Sequence, residues 1–178
     1  MTYTLNMALI KHRDIVYLKE TPYTLTVSDE PQKDQLVLIS TKLDKNQYTK
    51  LKKQCAGVIY RPDFKDTEKA EADIRYMIEK GYCDYVVGLE QSPDKDFMHQ
   101  KNGQFNTVIA KLAKQHNIIL IFDFSYISKH LQKSVGRVTQ TMQLCDKYSV
   151  SYFLATFAKQ KIQLRNQSDL RCFLRVLR

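Results

Sequence analysis

The sequence predicts an α/β fold in which strands and helices alternate around a buried parallel sheet. Three observations predict it. The run Asn117-Ile-Ile-Leu-Ile-Phe-Asp-Phe-Ser125 is apolar but for Asn117, Asp123 and Ser125 and shows no clean alternation. That pattern suits a strand buried on both faces, as in parallel sheets. Helical patterns flank it on both sides. Phe105, Val108, Ile109 and Leu112 fall at i, i+3, i+4 and i+7, with Lys111, Lys114 and Gln115 opposite them; Val135, Val138, Met142 and Cys145 mark a second helix. Strand-like and helix-like segments also alternate regularly from Leu36 onward, which makes βα units of residues 36 to 178.

Each element has a local reason. Tyr3, Leu5, Met7 and Leu9 alternate with polar residues, as a half-buried strand does. Asp14 to Glu20 and Tyr23 to Ser28 form two short strands around Thr21-Pro22, and Leu36 to Ser40 is a more buried one. No helix separates the first three, so the N-terminal portion is β-rich and irregular. Asp44 with Gln47 makes a capping box for a helix running to Cys55. Gly57 to Tyr60 is a strand. Asp66 or Thr67 caps a helix whose Ala70, Ile74, Met77 and Ile78 share a face and whose left-handed stop is Gly81. Asp84 to Leu89 is a strand followed by a long loop, Glu90 to Asn102. Beyond the central strand, Ser134 caps the next helix, and Ser151 to Thr156 is β-rich. Ser168 caps a last helix with Leu170, Phe173, Leu174 and Leu177 on one face.

At 178 residues the chain reads as one domain, 1–178, with room for a real core. It has no apolar run long enough to span a membrane, and Met1-Thr-Tyr-Thr-Leu does not open like a signal peptide. A cytoplasmic chain without a membrane partner is expected. Cys55, Cys83, Cys145 and Cys172 are far apart and never form C-x-x-C, so reduced, buried thiols are expected, with Cys83 and Cys145 in the core. The net charge of +9 calls for an anionic partner, and nucleic acid is the leading class.

Catalytic constellations are sparse. The four histidines, His12, His99, His116 and His130, form no His-x-His and no H-E-x-x-H, so no metal site is expected in the protein itself. Phosphate-cradling loops and nucleophile elbows are absent. Asp123, a carboxylate inside a buried strand, is the best enzyme-like candidate; the plainer reading is a strand-end Asp that accepts from loop amides. The loops after the strands carry donors instead. Lys159, Lys161, Arg165 and Asn166 follow the last strand, His99, Gln100, Lys101 and Asn102 precede the helix before the central strand, and Lys129, His130, Lys133 and Arg137 follow it. In a βα fold these three stretches open at one end, and together they suit a phosphate backbone.

Four segments, in order, resemble one family. They are His99-Gln-Lys-Asn-Gly-Gln-Phe-Asn-Thr-Val-Ile-Ala-Lys-Leu-Ala-Lys-Gln-His-Asn-Ile-Ile119, Met142-Gln-Leu-Cys-Asp-Lys-Tyr-Ser-Val150, Ala155-Thr-Phe-Ala158, and Leu164-Arg165-Asn166 with Asp169-Leu170. The family is protein component three of archaeal ribonuclease P, related to the eukaryotic thirty-kilodalton subunit, and the resemblance covers roughly residues 83 to 178.

The resemblance implies a TIM-like (βα) barrel. Eight regular units need roughly 250 residues, so the barrel must be abbreviated or distorted; an open doubly wound sheet is the alternative. It also implies an RNA-binding subunit that supports the catalytic RNA of ribonuclease P, which removes the 5′ leader of precursor tRNA. The chemistry and its Mg²⁺ would then belong to the RNA, with a Pop5-type subunit and other ribonuclease P proteins as partners and precursor tRNA contacted indirectly. Tyr82 and Tyr85, or Tyr148 and Tyr152, are candidates for the protein contact, and Arg165 matches the family's loop arginine. Two competing readings are a metal-dependent phosphoesterase or nuclease on a barrel, centred on Asp123, and a barrel that binds a phosphorylated metabolite.

Overall fold

The computed structural model describes residues 14–16, 24–28, 33, 35–96 and 103–178. Its strands are β1 (Asp14–Val16), β2 (Thr24–Ser28), β3 (Leu36–Ile39), β4 (Gly57–Tyr60), β5 (Tyr85–Val87), β6 (Ile119–Asp123) and β7 (Tyr152–Ala155). The helices are α1 (Lys45–Gln54), α2 (Thr67–Lys80), α3 (Thr107–Gln115), α4 (Phe124–Lys129), α5 (Leu131–Tyr148) and α6 (Gln167–Leu177). The seven strands lie side by side in sequence order, and every neighbouring pair is parallel. The α/β class and the parallel sheet are as expected. The expected strand over Tyr3 to Leu9 lies outside the described residues.

Closure into a barrel is not seen among the described residues. No hydrogen-bonded pairing joins β7 to β1, although Cα atoms of the two strands come within 8 Å. The sheet is open, as in the second expectation. Its order nevertheless lacks the reversal of a doubly wound sheet, since each crossover leads to the next strand along. The period of two explains how such a sheet fills both faces. Val58, Tyr60, Val86 and Leu120 face the helices and pack with Ile74, Met77, Ile78, Ile109 and Cys145. The alternate residues Ile59, Tyr85, Val87, Ile119 and Ile121 pack with Leu36, Ala155 and Phe157, a cluster drawn from strands and the segment just after β7. A third cluster joins Phe122 and Leu154 to Val138, Met142 and Leu170 of α5 and α6.

The helix ends follow local chemistry. Asp44 and Gln47 form the expected capping box on α1, Asp66 caps α2, and Gly81 stops α2 at φ 64°. Two caps differ from expectation. Ser134 sits inside α5, because α4 and α5 abut at His130, whose carbonyl already accepts the Ser134 amide. Asn166, not Ser168, caps α6: its side-chain oxygen accepts the Ser168 amide at 3.1 Å. Cys55, Cys83 and Cys145 are buried, whereas Cys172 is exposed on α6.

Candidate nucleic-acid interface

Because every strand is parallel, the segments that leave β4, β5, β6 and β7 emerge at one end of the sheet. Continuing the inward-facing series Gly57, Ile59 by two residues reaches Arg61, and Ile119, Ile121 by two reaches Asp123. The two side chains meet there, with Arg61 Nη2 3.0 Å from Asp123 Oδ2. The Phe157 ring lies under the guanidinium at 4.9 Å. Asp123 also accepts the Tyr126 amide at 3.2 Å, which caps α4, and Gln91 Nε2 stands 3.5 Å from it.

Glu90 lies in a 3-10 turn, Leu89–Gln91, at the end of β5 and is only 1% exposed. Its Oε1 accepts the Asp123 amide at 3.1 Å, while Oε2 has no hydrogen-bond partner. Burial pushes its carboxyl up to about 7, and the neighbouring Asp123 adds to the rise. Asp123 is also raised by burial but drawn back by Arg61. Its oxygens are therefore occupied by an ion pair and an amide, the plainer of the two readings of this residue. Among the described residues no group of three or more His, Cys, Asp or Glu is placed to hold a metal ion.

Around this buried centre lie the residues expected to bind nucleic acid, and they divide sharply. Arg137 is wholly buried, so its place on an RNA-binding face is a correction. Its Nε pairs with Asp96 at 2.9 Å, Nη1 donates to the carbonyls of Glu90 (3.2 Å) and Ser92, and Nη2 donates to that of Asp94 at 2.6 Å. It clamps the segment after β5 from α5. Lys133 is half-buried and donates to the Pro93 carbonyl at 3.1 Å, part of the same attachment. Lys129, Lys159, Arg165 and Asn166 are exposed at this end of the sheet. Arg165 braces its own loop through Nη1 to the carbonyls of Ile162 (3.0 Å) and Leu164 (2.8 Å). Lys161 opens the 3-10 turn Lys161–Gln163 beside them. His99, Lys101 and Asn102 lie outside the described residues.

Sequence reasoning missed the Arg61–Asp123–Glu90 network. The usable signal was the inward period of two carried past the ends of β4 and β6. Tyr85 is a further correction: it points into the strand-lined cluster and cannot serve as a partner surface. Tyr82 is half-buried between Tyr48 and Tyr76, each ring 5.9 Å away, and Tyr152 meets Phe122 edge-on. Tyr148 is half-buried.

No family model and no curated protein matches the sequence. Solved structures do. A chain of the cryo-EM structure of archaeal ribonuclease P with mature tRNA superposes with a TM-score of 0.68 at 20% identity. The superposition covers 92% of this chain and 81% of that one. The two share a fold over nearly the whole of this chain.

Proposed function

We propose that this chain is an RNA-binding protein subunit of ribonuclease P. In that role it supports a catalytic RNA that removes the 5′ leader from precursor tRNA. The observation that carries the reading is the fold shared, over 92% of the chain, with a chain of archaeal ribonuclease P bound to mature tRNA. The family resemblance of residues 83 to 178 and the net charge of +9 support it independently. The rim fits the role chemically: Lys129, Lys159 and Arg165 are exposed, and the carboxyl groups nearest the centre, Asp123 and Glu90, are buried. Phosphates would be neutralised at this rim and the RNA held in its active fold, with Mg²⁺ carried by the RNA. The finer parts of the reading are a Pop5-type protein partner, cytoplasmic residence, and a curled sheet that amounts to a distorted barrel. The approach of β1 to β7 within 8 Å supports the last of these.

The test is binding to ribonuclease P RNA as a function of salt. The logarithm of the association constant should fall linearly with the logarithm of salt, by roughly 0.7 to 0.9 per neutralised phosphate. Replacing Lys159, Lys161 and Arg165 together with Ala should flatten that slope. An unchanged slope removes these residues from the interface, and a wild-type affinity insensitive to salt overturns the reading.

A further inference from the structure

One exposed feature of the rim is neither core nor cation. Tyr126 and His130, one helical turn apart across α4, hold their rings 4.5 Å apart at 38°. In the other aromatic pairs among the described residues, Phe122 with Tyr152 and Phe124 with Phe173 among them, each ring is buried or half-buried. Here His130 is exposed and Tyr126 only half-buried. The backbone that carries the pair is tied down. The Tyr126 amide is tied to Asp123, and the His130 amide bonds to the carbonyl of Tyr126 at 3.1 Å. Just before the pair, Ser125 donates to the Thr156 carbonyl and binds α4 to the segment after β7.

We infer that the Tyr126–His130 ring pair is a stacking platform for an unpaired nucleobase of the RNA bound at this rim. The inference rests on the RNA-binding reading above and adds to it the kind of RNA taken. Cations alone grip phosphates of paired and unpaired RNA alike, whereas an exposed ring face gains only from a base that has left its stack. The neighbours decide the occupant. Lys129 is exposed beside the pair, and Lys133 lies one turn further on. A positively charged setting suits a ligand that is aromatic and anionic at once, which a nucleotide is and an apolar protein face is not.

The experiment uses the full chain with two RNA probes: a hairpin whose unpaired loop carries a fluorescent adenine analogue, and the blunt-ended duplex of its stem. Tyr126→Leu should weaken hairpin binding about tenfold and abolish the stacking-induced quench of the analogue. Duplex affinity and the salt slope should be unchanged, and Tyr126→Phe should behave as wild type. His130→Ala, at an exposed position, should give a smaller loss of the same selectivity and serves if Tyr126→Leu fails to fold. Folded variants that bind both probes like wild type overturn the platform, which is also the result expected if a protein covers these rings. Equal weakening on both probes overturns it too. Wild-type protein that binds neither probe would instead overturn the RNA-binding reading itself.

Discussion

Two loops at the same end of the sheet carry the chain from a strand to a helix, and they are held in opposite ways. The segment after β5 is clamped from outside by Arg137 of α5, a buried guanidinium with three carbonyls and one carboxylate around it. The segment after β7 is tied at its start to Ser125 of α4, and its further part is braced by its own side chains. Gln163 accepts the amides of Lys159 (2.8 Å) and Gln160 (3.2 Å), Arg165 reaches back to two carbonyls, and Asn166 caps α6. The first loop buries the cation that holds it; the second leaves Lys159 and Arg165 exposed. What decides a cation's role here is the set of acceptors around it. Lys129, Lys133 and Arg137, spaced four residues apart, are exposed, half-buried and wholly buried in turn.

The largest effect expected from this contrast is at Arg137. Arg137→Met keeps the stem but takes the guanidinium away from the carbonyls of Glu90, Ser92 and Asp94 and from the carboxylate of Asp96. Removing one partner of a buried charge network costs about 3–5 kcal/mol, and for a chain of this size the melting temperature should drop by roughly 10 °C. Thermal denaturation checks this. A change within a degree or two would mean that the segment after β5 holds itself, and the two loops would no longer differ.

How far this division could be read from sequence depends on the kind of signal. The strands from Leu36 onward, the capping box of Asp44 and Gln47, and the stop at Gly81 announce themselves locally, through runs of residues whose spacing or type fixes one conformation. Arg137 does not. Nothing within a turn of it distinguishes a clamp from a solvated cation, because its acceptors come from Glu90 to Asp96, more than 40 residues earlier. Glu90 was hidden in the same way: it stands at the head of a polar stretch, and contacts distant in sequence, with Asp123 and Arg137 among them, surround it. Ser134 reads as a cap because Phe124 and Ser125 continue the apolar run of the central strand, whereas a helix starts directly from Asp123 and leaves no gap to cap. The exposed donors of the β7 loop were legible as a cluster, since exposure is what a short polar loop does by default.

The second contrast is in pH. An unfolded Glu90 ionises near its ordinary 4.5, whereas the folded, buried carboxyl holds its proton to about 7. Its contribution to stability is therefore present in full below the lower value and is lost as pH rises through the upper one. A shift of this size amounts to about 3 kcal/mol. Asp123, also raised by burial, adds a slope of the same sign. Urea denaturation across this range should show stability falling from acid to neutral pH, and Glu90→Gln should remove most of the fall. The β7 loop has no buried carboxyl of this kind among the described residues, so variants there should leave the slope unchanged. A wild-type profile that rises across the same window would show that Glu90 is ionised in the fold and paired.

The smallest effect is expected at Arg165, and it sharpens the comparison most. Its two hydrogen bonds go to exposed loop carbonyls that water can satisfy, so Arg165→Ala should cost no more than about 0.5 kcal/mol. Its neighbour Asn166 is a helix cap, and Asn166→Ala should cost about 1 kcal/mol. Adjacent exposed residues would thus separate in chemical denaturation, with the cap mattering more than the charge. The order should invert in RNA binding, where a guanidinium contributes a bidentate donor that an amide cannot replace. If Arg165→Ala instead destabilises the fold as strongly as Arg137→Met, the arginine of the second loop is a clamp as well, and the rim loses one of its exposed cations.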